Sequence, residues 1–351
     1  MRGSDTNQTA MYSYLSPEQR VPLDHPLRAT RDICDEALRE LTMRFEGLYS
    51  RLGRSSVPPE KLLRALLLQA LYSIRSERLL MEQLEYNLLF RWFVGLNMDE
   101  PIWVPTVFSK NRERLMRGDV AQAFFEAVLK QARGKDLLSD EHFTVDGTLL
   151  EAWASMKSYQ KKETPPDKGS GSRGEIRKRD THGSTTDPDA GLYKKSANGE
   201  FRLSHMGHLL MENRNGLPVA VRVTRPSPQG EWEAALEMLA GVAVKGISVG
   251  ADAGYDEKGF VPGVRALGMV PHVAPHRKRK PVIDGRTTRH ESYRISQKKR
   301  KQIEQIFGWL KTTGVMRKVR HRGHELVRWM FTLAVSAYTV VRLRNLSLQA
   351  G

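Results

Sequence analysis

Apolar residues recur at helical spacing from Leu27 to Arg133, and this part of the chain therefore predicts a set of short helices. Prolines in a first turn, capping hydroxyl groups and a terminal glycine mark where helices begin or end. The clearest helices are the run Leu62–Leu71, one capped by Ser76, one capped by Thr106, and Val120–Arg133. Such helices are compatible with a helix-turn-helix DNA-binding domain, and equally with a helical bundle that forms a dimer interface.

The pattern after residue 136 is that of an α/β protein, because short apolar runs alternate with amphipathic segments. The predicted strands are His142–Val145, Phe201–Met211, Leu217–Thr224, Ile247–Ala251 and Met269–Val273, and the predicted helices are Glu231–Val242 and Asp256–Leu267. An Asn-Arg-Asn-Gly turn at 213–216 is a hairpin signal. The order of elements predicts a layered sheet with a hairpin on one side and crossover helices on the other.

These patterns predict three segments. We expect a flexible leader over 1–24, a helical DNA-binding or dimerisation domain over 25–135, and an α/β domain over 136–345. A polar stretch at 157–200, nearly without apolar residues, is predicted to be a mobile loop. The apolar run Trp329–Val341 is too short to span a bilayer and is predicted to be a buried helix.

The composition points to a polyanionic partner. The formal net charge is +16, and the segment 276–322 alone has 16 Lys or Arg against 3 Asp or Glu, a local net charge of +13. Such concentrated positive charge favours nucleic acid, and an anionic membrane is the weaker alternative because the chain has no lipidation motif. Cys34 is the only cysteine, which excludes intrachain disulfides and multi-thiolate zinc sites. We expect a cytoplasmic protein, because no signal peptide is evident.

Three carboxylates stand where a metal site could form. Asp146 and Asp252 are expected just past the ends of two predicted strands, where open α/β sheets bind ligands. Glu304 lies on a predicted helix, Lys298–Lys311, on which Arg300 and Lys311 share its face within about 40° of arc. Carboxylates are the ligands that Mg²⁺ prefers, and a pair of such ions supports phosphodiester hydrolysis.

Each acid also has an ordinary explanation. Asp146, before a glycine, could be a turn residue, and Asp252 could cap the next helix. Glu304 could form salt bridges on an amphipathic helix. Asp256 is a rival for the second metal ligand, although a helix N-cap is expected at its position, and Glu151 is expected at the surface.

Several segments resemble the DDE transposases of bacterial insertion sequences, most closely the insertion-sequence families numbered four and five. They are TVDGTLLEAWAS at 144–155, VGADAGYD at 249–256, the helix around Glu304, and 62–96, which is similar to the family's N-terminal domain. The resemblance implies a ribonuclease-H-like core, a mixed five-stranded sheet with flanking helices, preceded by an all-helical domain. It also implies that Asp146, Asp252 and Glu304 are the catalytic, metal-binding residues for two Mg²⁺ ions, which Mn²⁺ can replace.

The family's signature around the glutamate is Tyr-x2-Arg-x3-Glu-x6-Lys, and Arg300, Glu304 and Lys311 match it. Gln297 stands at the tyrosine position, and Tyr293, one turn earlier, is the alternative for that role. Arg300 and Lys311 are expected to hold DNA phosphates. Further cations are expected to follow the DNA backbone: Lys298, Lys299, Lys301, Arg277, Lys278, Arg279 and Lys280.

The resemblance implies a transposase that cleaves the ends of an insertion sequence and joins their 3′-hydroxyls to target DNA. Its partners would be the terminal inverted repeats and target DNA, bound by a dimer or larger assembly. Two alternatives remain: a nuclease of the same fold without strand transfer, and a catalytically silent DNA-binding protein derived from a transposase.

Functional roles can also be considered for several other lysine, tryptophan and histidine residues. Lys194 and Lys195 are expected to close on bound DNA. Trp153 and Trp309 could stack on a base, but core packing is the favoured prediction for both. His205 and His208 are expected to face opposite sides of a strand, so a shared metal is not predicted.

Overall fold

The computed structural model describes residues 16–50, 52–53, 56–161, 181–194, 199–242 and 245–350. The N-terminal region consists of helices, as predicted: α1 Pro17–Arg20, α2 Pro26–Glu40, α3 Thr42–Leu48, α4 Pro59–Leu71, α5 Glu77–Tyr86, α6 Leu88–Val94, α7 Pro105–Arg117 and α8 Val120–Gly134. Ser76 caps α5 by accepting a hydrogen bond from the Leu79 N–H. The predicted cap at Thr106 is wrong, because α7 already begins at Pro105 and its N-cap residue is Val104.

The leader predicted over 1–24 ends earlier than expected. Ser16 caps α1, and Val21 is buried. Glu18 forms an ion pair with Arg28 and accepts a hydrogen bond from the Trp92 indole of α6. Residues 16–24 are therefore part of the helical region, and 1–15 lie outside the described residues.

The α/β region is built on a mixed sheet. The strands of this region, in chain order, are β1 His142–Glu151, β2 Tyr159–Lys161, β3 His182–Ser184, β4 Gly191–Tyr193, β5 Arg202–Glu212, β6 Pro218–Thr224, β7 Ser248–Ala251 and β8 Val270–Val273. Strands β2 and β3 form a separate two-stranded ribbon, and the other six form the mixed sheet. Strands β1, β7 and β8 are parallel neighbours, and β5 runs antiparallel beside β1. Both β6 and the short β4 pair with β5, so the sheet has the order β4/β6-β5-β1-β7-β8. This order confirms the predicted ribonuclease-H-like core, with six strands instead of five.

Helices cover both faces of the sheet. They are α9 Gly230–Val242, α10 Phe260–Ala266, α11 Gly285–Thr288, α12 Glu291–Lys299, α13 Gln302–Thr312 and α14 His324–Ala350. Phe143 and Val145 of β1 pack with α9 and α10 in one core. Leu150 of β1 belongs to the other core, which includes α13 and α14.

The larger core crosses the boundary that the sequence predicts between the helical and α/β regions. Buried residues of α14, such as Trp329 and Phe331, share it with α2, α4 and α8 and with strands β5 and β6. By length and composition, His324–Gln349 could cross a membrane, but 72% of its apolar window is buried inside the protein. The predicted buried helix is confirmed, and it is longer than Trp329–Val341.

The polar stretch at 157–200 is not simply a loop. It contributes β2, β3 and β4, and its Asp187 carboxylate contacts the His205 ring at 3.1 Å, with both side chains fully buried. The prediction of a mobile loop is wrong for 157–161 and 181–193, because strand pairing and this pair order them. Residues 162–180 and 195–198 lie outside the described residues.

A substitution of Gly207 in β5 tests the packing of α14 on the sheet. A Cβ at this position would lie 2.7 Å from Cζ of Phe331, a fully buried ring that has no room to retreat. Gly207→Ala should therefore lower the free energy of unfolding by about 1–3 kcal/mol, measured by denaturant titration. Gly241→Ala is the control, because a Cβ there meets nothing within 4 Å. An equal loss in both variants would contradict this account.

Candidate active site

Asp146 lies on β1, and Asp252 directly follows β7, the parallel neighbour of β1 at the centre of the sheet. Thr144 of β1 stands opposite Gly250 of β7, so the same register carried two residues further brings Asp146 beside Asp252. Asp252 directly follows β7 and caps a 3-10 turn by accepting a hydrogen bond from the Gly254 N–H at 2.8 Å. The predicted position of Asp252 just past the end of a strand is confirmed. Asp252 also caps the turn that follows, which was the structural role predicted as the alternative to metal binding.

The prediction that Asp146 follows the end of a strand is wrong. Strand β1 continues to Glu151, and antiparallel pairing with β5 runs along its whole second half. Asp146 Oδ1 accepts a hydrogen bond from the Gly147 N–H at 2.8 Å. Because side chains alternate along a strand, Asp146 shares a face with His142, which hydrogen-bonds Ser296 of α12 at 2.6 Å. The carboxylate therefore projects on the α12 side of the sheet.

Glu304 lies on α13, but the single helix predicted over Lys298–Lys311 is wrong. The chain breaks into α12 and α13 at Arg300 and Lys301, where the N–H groups of Ile303 and Glu304 bond to carbonyls only three residues back. Ile303, Ile306, Phe307 and Leu310 are buried and fix α13 to the core. Glu304 itself is exposed.

The donor set fits a divalent cation only in part. Asp146 and Asp252 provide hard oxygen donors on rigid strands, which suit Mg²⁺ or Mn²⁺. Over the ranges that the structure describes, no three His, Cys, Asp or Glu side chains are grouped closely enough to hold a metal ion. The structure thus brings the two aspartates together and does not place Glu304 with them in a ready three-ligand site.

A third acid near this part of the sheet, Glu231 at the start of α9, was not predicted as a site residue. A Cβ on Gly147 would lie 2.6 Å from Glu231 Oε1, so the carboxylate packs on β1 from the α9 side, the face opposite the Asp146 side chain. Burial raises the pKa of Tyr255 well above its ordinary value, and the charges of Glu231, Asp146 and Asp252 raise it further. The buried Tyr255 hydroxyl donates a hydrogen bond to Glu231 and therefore stays protonated.

Asp256, the rival second ligand, has a structural role. It is fully buried, and its carboxylate accepts hydrogen bonds from the N–H groups of His276, Val282 and Ile283 at 2.8–2.9 Å. These bonds hold the base of the exposed basic loop 277–280. Within this loop Arg279 pairs with Glu257.

Gln297 takes part in positioning Arg300. Its amide donates a hydrogen bond to the His272 carbonyl and accepts one from Arg300 Nε at 3.3 Å. The Tyr293 hydroxyl donates a hydrogen bond to the Val273 carbonyl at 3.2 Å, so this side chain is held against β8. Lys298, Lys299 and Lys301 are exposed around the break between α12 and α13.

The remaining candidates have separate environments. His205 contacts Asp187, whereas His208 contacts Thr224. Lys194 lies over the Phe201 ring, and Lys195 is outside the described residues. Glu151 is half-buried and pairs with Arg202 and Lys318.

The two tryptophans differ. Trp309 packs edge-on against Tyr338, as core packing predicts. Trp153, by contrast, is 43% exposed, so the prediction that it packs in the core is wrong.

Buried histidines make the fold sensitive to acid. Burial lowers the pKa of His208 to about 3 and that of His142 and His272 to about 4, so these rings are neutral in the folded state. In the unfolded chain they take up protons below about pH 6.5. The free energy of unfolding should therefore fall as the pH drops from about 6.5 to 4, which a series of thermal melts can measure. A melting temperature that stays constant over this range would refute the prediction.

Comparison with known sequence families identifies the chain. The family described as "Transposase DDE domain" matches residues 140–340, and the family described as "Transposase domain (DUF772)" matches residues 15–114. No curated protein matches.

Solved structures show only remote similarity. A piggyBac transposase synaptic complex with hairpin DNA is 11% identical, with a TM-score of 0.41 over 93% of this chain and 77% of that chain. A pre-cleavage Mos1 transpososome is 12% identical, with a TM-score of 0.20 over 92% of this chain and 97% of that chain. These scores are too low to support an argument about function.

The match to residues 140–340 covers more than half of the chain and includes both aspartates and Glu304. Membership of this family makes the protein a DNA transposase and implies a reaction that depends on divalent metal. The chain belongs to the DDE transposase family.

Proposed function

We propose that Asp146, Asp252 and Glu304 form the active site with which this transposase cleaves the ends of an insertion sequence and joins their 3′-hydroxyls to target DNA. The observation that carries the proposal is the parallel register of β1 and β7, which, continued two residues past Thr144 and Gly250, brings Asp146 of β1 beside Asp252 just after β7. The α13 helix, which bears Glu304, packs on the sheet next to β1. Because Glu304 is exposed, its carboxylate is free of the core and can turn toward the aspartates when DNA and metal bind.

The three carboxylates would hold two Mg²⁺ ions, or Mn²⁺ in their place. Held there, such ions would lower the pKa of the attacking water or 3′-hydroxyl and would stabilise the leaving oxygen. Basic side chains of the protein would position the phosphodiester of the DNA at this site. Arg300, oriented by Gln297, and Lys311 at the other end of α13 are suited to grip phosphates on either side of Glu304.

The exposed cations at 277–280 and at Lys298, Lys299 and Lys301 would follow the DNA backbone without reading its sequence. We further propose that the protein belongs with insertion-sequence families four and five and acts in the cytoplasm. Its partners would be terminal inverted repeats and target DNA. Joining two ends to one target requires at least a dimer on DNA.

An assay with a labelled 3′-hydroxyl DNA end and a plasmid target tests this function. With Mg²⁺, the proposal expects covalently joined products. Cleavage without joining would instead favour the nuclease alternative, and binding without either reaction would favour the silent DNA-binding protein.

The phosphate contacts have a separate prediction. Lys311→Ala and Arg300→Ala should each weaken DNA binding and reduce the slope of log affinity against log salt by about 1, because one phosphate contact is lost. Lys245→Ala is the matched control, because Lys245 is an exposed lysine just before β7, at the opposite end of that strand from Asp252. A slope that is unchanged in the first two variants would rule out phosphate contact at those positions.

A further inference from the structure

Trp153 is an exposed indole among cations, two residues after the end of β1. Its side chain is 43% exposed. Lys318 Nζ lies 5.9 Å from the ring centroid and Arg320 Cζ lies 5.6 Å from it. A large aromatic surface of this kind is costly to leave in water, and nearby cations offset only a small part of that cost at an exposed site. Packing within the described protein therefore does not account for the position of this side chain.

The indole lines a cavity of about 470 Å³ between the end of β1, the end of α13 and the turn between α4 and α5. Five cations share the lining with it: Arg75, Lys311, Arg317, Lys318 and Arg320. Among the described residues that line this cavity, none is acidic. Arg75, Arg317 and Arg320 have no ion-pair partner within the described part of the chain. The cavity is thus strongly electropositive around one aromatic face.

A larger cavity of about 550 Å³ adjoins it and shares Arg75, Trp153, Val315 and Arg320. Val315 has φ +57°, a left-handed conformation that is strained for a β-branched residue. Its turn is held from outside by Ser73, whose hydroxyl donates to the Thr313 carbonyl at 3.0 Å. Strained backbone that the surrounding structure maintains is concentrated at ligand sites.

We propose that this cavity binds an unpaired nucleotide of the DNA, with Trp153 stacked on its base and the surrounding Lys and Arg on its flanking phosphates. A paired base presents only its edges, so an indole face can engage a base only when that base has left the stack. Stacking on tryptophan accepts any base, and the cationic rim selects a polyanion. Both volumes lie in the range of about 300–1,000 Å³ that is typical of ligand pockets.

Lys311 connects this cavity with the candidate active site, because it lies in the last turn of the helix that bears Glu304. The unpaired nucleotide would therefore lie close to the cleaved phosphate, where strand ends are separated. The inference rests on the proposed function in so far as its ligand is DNA.

Fluorescence anisotropy in EDTA tests the proposal, because it needs no catalysis. The probes are a blunt duplex and a duplex with the same number of phosphates and a short unpaired 3′ overhang that carries 2-aminopurine. The wild-type protein should bind the overhang duplex more tightly and quench its 2-aminopurine. Trp153→Ala should bind the overhang duplex about tenfold more weakly, the scale of one lost base stack, and should leave blunt-duplex binding unchanged.

Two further variants exclude an effect on folding. Trp153→Phe should retain most of the preference for the overhang. Tyr86→Ala removes another exposed aromatic, on α5 outside the cavity, and should behave like the wild type.

Equal weakening for both duplexes in Trp153→Ala, or an overhang preference that survives in it, would overturn the proposal. If the wild-type protein binds neither duplex, the proposed function itself fails. If the wild-type protein binds both duplexes equally, the proposed nucleotide site fails and the proposed function stands.

Discussion

Replacing Asp146 or Asp252 with Asn should reduce metal-dependent DNA cleavage at least about a thousandfold, equivalent to roughly 4 kcal/mol of transition-state stabilisation. The amide keeps the size of the side chain and can still accept the hydrogen bonds from the Gly147 and Gly254 N–H groups. It removes the negative charge that a divalent cation requires. The measurements are single-turnover cleavage of a labelled end with Mg²⁺, and DNA affinity in EDTA.

DNA binding without metal should change little in these variants, because neither aspartate would contact phosphate without the ion between them. Glu304→Gln provides an informative comparison, since Glu304 is exposed and does not form a three-ligand group with the aspartates. The same loss of cleavage in this variant would support its recruitment when DNA and metal bind. Normal cleavage by any one of the three variants would remove that residue from the proposed site.

Asp256→Ala should lower the free energy of unfolding by about 3 kcal/mol or more, an effect on stability that Asp252→Ala should not share. Three backbone N–H groups, at His276, Val282 and Ile283, would lose their acceptor, and each unsatisfied buried donor costs about 1–3 kcal/mol. Chemical denaturation of the two variants measures the difference.

The same substitution should release the basic loop 277–280 and weaken DNA binding. If Asp256→Ala were as stable as the wild type but inactive in cleavage, Asp256 rather than Asp252 would be the better candidate for the second ligand. This comparison therefore separates the two aspartates that lie four positions apart in the sequence.

The sequence predicted most of the sheet, because hydrophobic runs and turn signals are local. The Asn-Arg-Asn-Gly turn and its flanking strands were predicted closely, and the structure has β5 and β6 there. The end of β1 was placed too early because Asp146-Gly147 is typical of a turn. In the fold, Gly147 lies within a strand whose neighbour β5 supplies the pairing, and the missing side chain leaves space for Glu231. Such a reason is not visible in the local sequence.

The sequence predicted the two aspartates of the candidate site, but it did not predict which distant residues surround them. Asp146 and Asp252 follow from the resemblance and from strand order. Glu231 is 85 positions from Asp146, and no local pattern connects them. Trp153 was placed in the core because apolar aromatics usually are, but its exposure depends on where the distant segment 311–320 lies. Contacts between segments this far apart are set by tertiary packing.

The position of α14 has a consequence for shortened copies of the gene. The last helix supplies Trp329 and Phe331 to a core that the helices before residue 135 also share. A premature stop codon before residue 324 would leave those helices with an uncovered apolar surface. We expect such a product to aggregate or be degraded, so decayed copies of the element should not readily produce a truncated repressor that competes for the same DNA ends.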